Sequence, residues 1–322
     1  MLVFLNVLLI IALALAAAGY WLFYLASVRL PGDRGLKPSQ RMQAHRAELE
    51  EGRDWFLSQS PEQVTLRSFD GLTLAADYLH HDDPRGTVIL FHGYRCDGYR
   101  DFGTMYRFYY ERGYSVLSVF QRAHGRSGGA YICFGVKERF DCRDWARYVY
   151  DRFGPEHDIF LAGVSMGAST VMMASELELP PSVRGIIADC GYNSPLAEFR
   201  EVMKRRLRLP EHPLLDIAQL WAGAMAHYEF DECSSAAALA KTRLPVLFFH
   251  GESDGFVPLR FGLECYAACR SEKQLVTVRG AGHAMCFFEE PERTRRALEG
   301  FLASHSTAAG TMPGEMGNIF AE

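Results

Sequence analysis

The sequence lacks the cysteine and histidine spacings that mark metal centres or redox motifs. Its eight cysteines include no Cys-x-x-Cys pair, and no cysteine–histidine cluster has zinc-binding spacing. Several cysteines, among them Cys142, Cys190 and Cys265, lie inside apolar stretches that are typical of strands or helices. These thiols are therefore expected to be buried and reduced, in a reducing compartment, rather than joined in a disulfide framework.

The sequence also lacks an excess of basic residues. Its net charge is −5 and its pI is near 6.1, which argues against nucleic acid as a general partner. Hydrophobic residues make up 48% of the chain and charged residues 23%, so a large core can be buried. A length of 322 residues is enough for two domains, although α/β folds of this size are often one domain.

Charge is absent altogether from residues 2–28, a run longer than the ~20 residues that cross a bilayer. Trp21 and Tyr24 near its end are typical of an interfacial aromatic belt. A cleaved signal peptide is the alternative, because small residues around Ala16 offer cleavage sites. No basic segment precedes the run, and the run continues beyond the alanines, so an uncleaved anchor is favoured.

Basic residues dominate the segment that follows the apolar run. Before Glu48, Asp33 alone opposes a set of five cations: Arg29, Arg34, Lys37, Arg41 and Arg46. The positive-inside rule then predicts a single-pass protein of the cell membrane whose carboxyl-terminal part is cytoplasmic, although a secreted protein fits the same hydropathy. We predict a transmembrane anchor at residues 1–28 and a juxtamembrane linker and helix at residues 29–60.

From residue 61 onwards, short apolar strands alternate with amphipathic helices. A hairpin around Asp70-Gly71 comes first, and buried strands such as residues 87–91 follow. This alternation predicts an α/β fold over residues 61–305, with a mostly parallel sheet and helices on both faces. Residues 193–242 look wholly helical and are predicted to form a cap over the carboxyl end of the sheet. A disordered tail is expected at residues 306–322.

Residues 158–167 combine a buried strand, a Gly-x-Ser-x-Gly turn and the start of a small-residue helix. Gly163 and Gly167 flank Ser165 at a spacing that lets strand and helix approach closely around a strained turn. This context is typical of a nucleophile elbow, which exposes the serine hydroxyl at the carboxyl end of the sheet. The N–H of Met166 would then point at a developing oxyanion. The alternative interpretation is a glycine-rich turn that carries a solvated serine.

A serine nucleophile needs a base and an orienting carboxylate, and both are found at later strand ends. His283 lies in a glycine-bracketed loop after a strand and is expected to be the general base. Asp254 also follows a strand and is the expected carboxylate, with Asp189 as the competing candidate. Three other histidines are interpreted as structural residues in turns: His92, His124 and His250.

Five motifs occur in a fixed order along the chain: His92-Gly93-Tyr94, residues 121–127, residues 163–167, residues 250–254 and Gly282-His283. On these motifs the chain resembles the serine hydrolases of the α/β-hydrolase superfamily. It is most similar to their bacterial membrane-anchored branch, near the monoacylglycerol-lipase-like and serine-aminopeptidase-like enzymes. The resemblance spans residues 62–304 and departs at Gln121, where relatives often carry an acidic residue.

The resemblance implies an α/β-hydrolase fold and a role for each matching residue. Ser165, Asp254 and His283 would form a catalytic triad. Tyr94, in the turn after the strand at residues 87–91, and Met166 would supply the two backbone N–H groups of an oxyanion hole. This chemistry needs neither a metal nor an organic cofactor.

The expected reaction is the hydrolysis of carboxylic esters, small or lipid-like, through an acyl-enzyme on Ser165. Amide or peptide hydrolysis and acyl transfer would use the same residues and stay open as alternatives. A catalytically inactive membrane scaffold is a third class. The expected partners are a small-molecule acyl substrate and the membrane, reached through the N-terminal anchor, and no nucleic acid.

Overall fold

In the computed structural model, which describes residues 1–30 and 40–307, eight strands form one sheet. The strands are β1 (Glu62–Arg67), β2 (Thr73–Leu79), β3 (Gly86–Phe91), β4 (Tyr114–Phe120), β5 (Asp158–Val164), β6 (Val183–Asp189), β7 (Val246–Gly251) and β8 (Lys273–Val278). Their spatial order is β1-β2-β4-β3-β5-β6-β7-β8. Among these described strands, β2 alone runs antiparallel to its neighbours, so the predicted mostly parallel sheet is confirmed.

Helices cover both faces of this sheet and also precede it. They are α1 (Leu2–Ser27), α2 (Gln40–Ala44), α3 (Arg46–Ser58), α4 (Tyr99–Glu111), α5 (Glu138–Phe153), α6 (Met166–Ala174), α7 (Pro195–Val202), α8 (Leu214–Ala226), α9 (Ser235–Leu239), α10 (Leu259–Ala268), α11 (Cys286–Glu289) and α12 (Pro291–His305). A π-helical turn, Met203–Leu207, continues α7. Helices α3, α4, α11 and α12 pack on one face, and α5, α6, α9 and α10 pack on the other.

The central strands are apolar along their whole length because both of their faces are covered. In β3, Leu90 packs on the face that carries Tyr106 of α4, while Phe91 packs on the face that carries Trp145 of α5. Successive side chains of a strand point to opposite faces, so neighbouring residues contribute to two different core layers. A run of buried apolar residues is the pattern expected of a parallel strand covered on both sides.

The cap is less helical than the sequence pattern predicts. Helices α7, α8 and α9 are present, but residues 208–213 and 227–233 are irregular. Arg208 and His227 adopt left-handed backbone conformations, with φ near 54°, and each ends a helical segment. Of the predicted linker and tail, residues 31–39 and 308–322 lie outside the described residues.

The N-terminal helix α1 packs against the cap along the second half of its length. It is 26 residues long and contains an 18-residue window with a mean hydropathy of 2.7, so it is long and apolar enough to cross a membrane. Its residues 2–14 are exposed, whereas Gly19, Phe23 and Ser27 form a buried face. A Cβ on Gly19 would lie 2.4 Å from Cγ2 of Ile217 in α8. Only glycine allows the two helices to approach so closely.

Candidate active site

Ser165 stands at the sharp turn between β5 and α6. Its φ of 56° and ψ of −117° lie in a sparsely populated region for a residue with a Cβ. A Cβ on Gly167 would lie 1.8 Å from the carbonyl oxygen of Phe91, and a Cβ on Gly163 would lie 2.3 Å from the carbonyl carbon of Gly167. The two glycines are therefore required by the close packing of strand, turn and helix.

The three side chains that the sequence analysis selected lie in one hydrogen-bonded chain. Ser165 Oγ lies 2.9 Å from His283 Nε2, and His283 Nδ1 lies 2.7 Å from Asp254 Oδ2. Asp254 Oδ1 accepts the backbone N–H groups of Phe256 and Val257 at 2.8 and 2.9 Å. Because both carboxylate oxygens of Asp254 are engaged, its orientation towards the imidazole is fixed.

Several carboxyl groups act on the imidazole of His283. Burial alone would lower the pKa of His283, but the nearby carboxyl groups together outweigh it, Asp254 first through its charge and its hydrogen bond. The pKa of His283 is therefore raised above its ordinary value. A raised pKa makes the imidazole a better acceptor for a hydroxyl proton.

Asp189, the competing carboxylate, ends β6 close to this chain of hydrogen bonds. It is buried, and within the described residues its Oδ1 has no hydrogen-bond partner. Its side chain contacts the thiol of Cys286 rather than the imidazole. Burial, aided by the charge of Asp254 and opposed by His283, raises the pKa of Asp189 to about 7. The structure thus brings Asp254, and not Asp189, into hydrogen-bond contact with His283.

The loop after β3 passes directly beside the nucleophile. A Cβ on Gly93 would lie 3.4 Å from Cβ of Ser165. The N–H of Gly93 donates to Asp101 Oδ2 at 2.6 Å, and His92 Nδ1 donates to the carbonyl oxygen of Gly93 at 2.8 Å. Because the peptide unit is planar and trans, holding this carbonyl fixes the opposite direction of the Tyr94 N–H.

The N–H groups of Tyr94 and Met166 are free to bind a ligand. Met166 begins α6, where the first N–H groups of a helix lack intrahelical acceptors. The next amide in the β3 loop, Arg95 N–H, donates to His124 Nε2 at 3.0 Å. Across residues 1–30 and 40–307, neither Tyr94 N–H nor Met166 N–H donates a hydrogen bond within the protein. The arrangement can therefore hold an oxyanion.

The remaining conspicuous histidines hold turns. Burial lowers the pKa of all three, and each hydrogen-bonds to backbone groups: His92, His124 and His250. Gln121, where relatives often carry an acid, donates to the carbonyl of His92 and accepts from Thr170 Oγ1 at 3.2 Å. Its partners are neutral, so an amide satisfies this buried position without an ion pair.

Glu198 of α7 is a buried carboxyl that sequence reasoning missed. It is 5% exposed, and among the described residues neither of its carboxylate oxygens has a hydrogen-bond partner. Burial raises its pKa to about 8; His283 opposes this rise, and Asp254 contributes to it. The carboxyl is therefore neutral at neutral pH. It occupies an ordinary amphipathic helix pattern next to Phe199, so no sequence signal marks it.

One set of potential metal ligands occurs in the described part of the chain. The ligating atoms of Cys190, Asp254 and His283 lie within 4.8 Å of one another. Both imidazole nitrogens of His283 are already engaged in hydrogen bonds. Burial, aided by the nearby Asp189, raises the pKa of the Cys190 thiol well above its ordinary value, whereas metals bind the thiolate. This donor set does not suit a metal ion.

Comparisons with known proteins place this geometry in a family. The model of the alpha/beta hydrolase family matches residues 88–297. The uncharacterized protein YqkD of Bacillus subtilis (strain 168) is 30% identical over 226 residues, which cover 69% of this chain and 72% of that protein.

Solved structures share the fold at low sequence identity. The Pyrococcus furiosus esterase Pf2001 is 22% identical, with a TM-score of 0.63 over 78% of this chain and 94% of its own. The alpha/beta hydrolase GrgF from Penicillium sp. sh18 is 16% identical, with a TM-score of 0.62 over 76% of this chain and 98% of its own. The chain therefore belongs to the alpha/beta hydrolase family, and hydrolysis is the activity that this membership supports.

Proposed function

We propose that this protein is a serine hydrolase that cleaves carboxylic esters through an acyl-enzyme on Ser165. The observation that carries the proposal is the continuous hydrogen-bonded chain from Asp254 through His283 to the Ser165 hydroxyl. A buried carboxylate, an imidazole and a hydroxyl in this order form the constellation that activates a serine for acyl transfer.

In this mechanism Ser165 Oγ attacks the ester carbonyl while His283 Nε2 takes the hydroxyl proton. Asp254 holds the Nδ1–H tautomer and stabilises the imidazolium. The C–O bond to the alcohol breaks as His283 returns the proton to the leaving oxygen. Water then attacks the acyl-enzyme with the same base, which releases the acid and restores the serine.

Two backbone donors would stabilise the tetrahedral oxyanion of each step. The N–H groups of Tyr94 and Met166 have no acceptor among the described residues; Met166 directly follows the serine, and Tyr94 directly follows Gly93, which packs against it. A preorganised donor of this kind is commonly worth ~3 kcal/mol of transition-state stabilisation. The strained elbow keeps the Met166 donor fixed before substrate arrives.

The surroundings of the serine favour an apolar acyl group. Met166 shares a buried cluster with Phe199 of α7 and with Val257. The ring of Phe256 lies 5.2 Å from the ring of His283. Apolar walls with few polar groups are typical of pockets that bind acyl chains. An amidase or an acyltransferase with the same triad is the second candidate, because its chemical steps differ only in the leaving group or the acceptor.

We also propose that α1 anchors the protein in the cell membrane, with the hydrolase domain in the cytoplasm. At 1.5 Å per residue, the 26 residues extend about 39 Å, longer than the ~30 Å hydrocarbon core, but their second half packs on the cap, so a complete span requires the cap to enter the bilayer interface beside α1. Beside α1, the outer face of α8 exposes Leu220 and Met225. The cap helix thus adds apolar surface next to the anchor, as expected for a domain that rests on a bilayer.

Labelling with a fluorophosphonate probe tests the proposed chemistry. The wild type should be labelled, Ser165→Ala should lose both labelling and ester hydrolysis, and Ser253→Ala, which alters an exposed serine, should keep both. A panel of acyl esters of graded length, with and without an added alcohol or amine, then separates hydrolysis from acyl transfer. Well-folded wild type that takes no label and cleaves no ester would instead be the inactive scaffold.

A separate experiment tests the anchor. Wild-type protein should stay in the membrane pellet after alkaline carbonate extraction. Of two carboxyl-terminal reporter fusions, one that is active only in the cytoplasm and one that is active only outside it, only the first should show activity. Release into the supernatant, or an active extracytoplasmic reporter, would contradict the anchor or its orientation respectively.

A further inference from the structure

The loop that carries Tyr94 caps the end of α1. A helix leaves its last carbonyl groups without intrahelical donors. The Tyr94 hydroxyl donates to the carbonyl of Ala26 at 2.7 Å, and Arg95 Nη2 donates to the carbonyls of Leu25 and Val28, both at 2.9 Å. Arg95 Nε also donates to the Tyr94 hydroxyl at 2.6 Å. The guanidinium lies at the negative end of the helix dipole, where a cation is favoured.

Arg95 holds a backbone conformation that needs external support. Its φ is +52°, in the left-handed region that a residue with a Cβ adopts at a cost. Its N–H is held by His124 Nε2, and its side chain is held by the end of α1. The loop of His124 is tied to the same helix end, because Arg29 donates to the carbonyls of Gly125 and Ser127. The β3 loop and the loop of His124 are thus bound to each other, and both are bound to the end of α1.

The last turn of α1 is itself fixed to the hydrolase domain. Ser27 Oγ lies 2.9 Å from the Tyr228 hydroxyl, and the carbonyl of Ser27 accepts the N–H of Ile132 at 2.7 Å. The N–H of Arg29 donates to the carbonyl of Ala130 at 2.8 Å. All of these hydrogen bonds involve residues after the apolar first half of α1. The last turn of α1 is therefore part of the hydrolase domain rather than a flexible tether.

We propose that residues 25–28, the last turn of α1 and the residue that follows it, are a positioning element of the oxyanion hole. Tyr94 follows Gly93, which packs against Ser165, while the Tyr94 ring stacks on Phe134 at 5.2 Å and its hydroxyl is bound to α1. A displacement of the helix end therefore moves the residue that supplies the donor. The membrane helix then contributes to catalytic rate and not only to location. This inference rests on the proposed serine hydrolase function.

Variants of the full-length protein in lipid nanodiscs test the proposal. Arg95→Gly suits the left-handed conformation but removes every side-chain contact with α1. Its kcat, normalised to the fraction of Ser165 titrated by a fluorophosphonate, should fall about 10-fold, since loss of a whole oxyanion donor costs about 10²–10³-fold. KM should stay within about twofold, and affinity for a trifluoromethyl ketone transition-state analogue should fall in parallel with kcat.

A second variant and two matched substitutions keep the test decisive. Tyr94→Phe keeps the ring on Phe134 but loses the bond to α1, so it should show a smaller fall in the same two quantities. Arg95→Lys, which keeps one donor, should recover part of the loss. Leu13→Ala, on the exposed half of α1, should match the wild type.

Two results separate failure of this inference from failure of the proposed function. If Arg95→Gly and Tyr94→Phe keep the normalised kcat and the analogue affinity of the wild type, or change KM alone, α1 does not position the oxyanion hole. If Ser165→Ala keeps wild-type activity, the serine hydrolase function itself is wrong, whatever the other variants show.

Discussion

The substitution Glu198→Gln tests the buried, unpartnered carboxyl beside the proposed active site. The ordinary pKa of this carboxyl is 4.5, and burial raises it to about 8 in the folded protein. Below pH 4.5 the proton is bound in both states, so the carboxyl has no effect on stability. Between pH 4.5 and about 8, the Glu198 carboxyl is ionised in the unfolded chain but protonated in the folded protein. The free energy of unfolding therefore falls as pH rises.

The magnitude follows from the two pKa values. At 1.36 kcal/mol per pH unit, the interval from 4.5 to about 8 corresponds to a loss of about 5 kcal/mol. Above pH 8 the ionised carboxyl is present in both states and the loss is complete. Glutamine at position 198 does not titrate, so the variant should lack this part of the pH dependence.

The assay is urea unfolding of the wild type and Glu198→Gln, monitored by intrinsic fluorescence. Both proteins are measured in one detergent at pH 5, 6, 7 and 8. The stability difference between Glu198→Gln and wild type should grow in favour of the variant by about 1.4 kcal/mol per pH unit. Any cost of burying the glutamine amide is independent of pH, so it shifts the stability difference by a constant and leaves its slope against pH unchanged. Glu252→Gln, at an exposed carboxyl, is the matched control variant. A pH-independent difference for Glu198→Gln would refute the neutral buried carboxyl.

Three further predictions concern the triad, the elbow and the thiols. Asp254→Asn should lower kcat for ester hydrolysis about 10⁴-fold, because an amide favours the wrong His283 tautomer. Asp189→Asn should lower kcat less than about 10-fold. Equal losses would contradict the assignment of Asp254 as the carboxylate that orients His283. Gly167→Ala should abolish the folded, extractable protein, since its Cβ would lie 1.8 Å from a carbonyl oxygen. Gly223→Ala, which meets nothing within 4 Å, should fold normally. All eight cysteines are free and buried, so a thiol reagent should modify less than one per native chain, and modification of several without denaturation would contradict that burial.

Local pattern predicted much of the fold because its signals are short-range. Alternating and continuous apolar runs indicated the hairpin around Asp70-Gly71 and the strand at residues 87–91, which begins one residue earlier in the structure, at Gly86. The elbow was equally visible, since Gly163 and Gly167 are required by contacts within a few residues of Ser165. The irregular stretches of the cap were predicted as helix: Pro210 and Pro213 do signal the break after Arg208, whereas His227 leaves the helical region with no glycine or proline at that position.

The order of the motifs, the identity of the nucleophile candidate and the apolar character of α1 can all be read from the amino-acid chain alone. The folded structure was needed to show that Asp254 rather than Asp189 hydrogen-bonds to His283, since Asp189 ends β6 and Asp254 follows the neighbouring β7 at the same edge of the sheet. It alone decided that Glu198 is buried without a partner and that the end of α1 binds the loop of Tyr94. These features depend on surfaces that meet across long stretches of chain. A pattern of neighbouring residues carries no information about which distant surface will cover it.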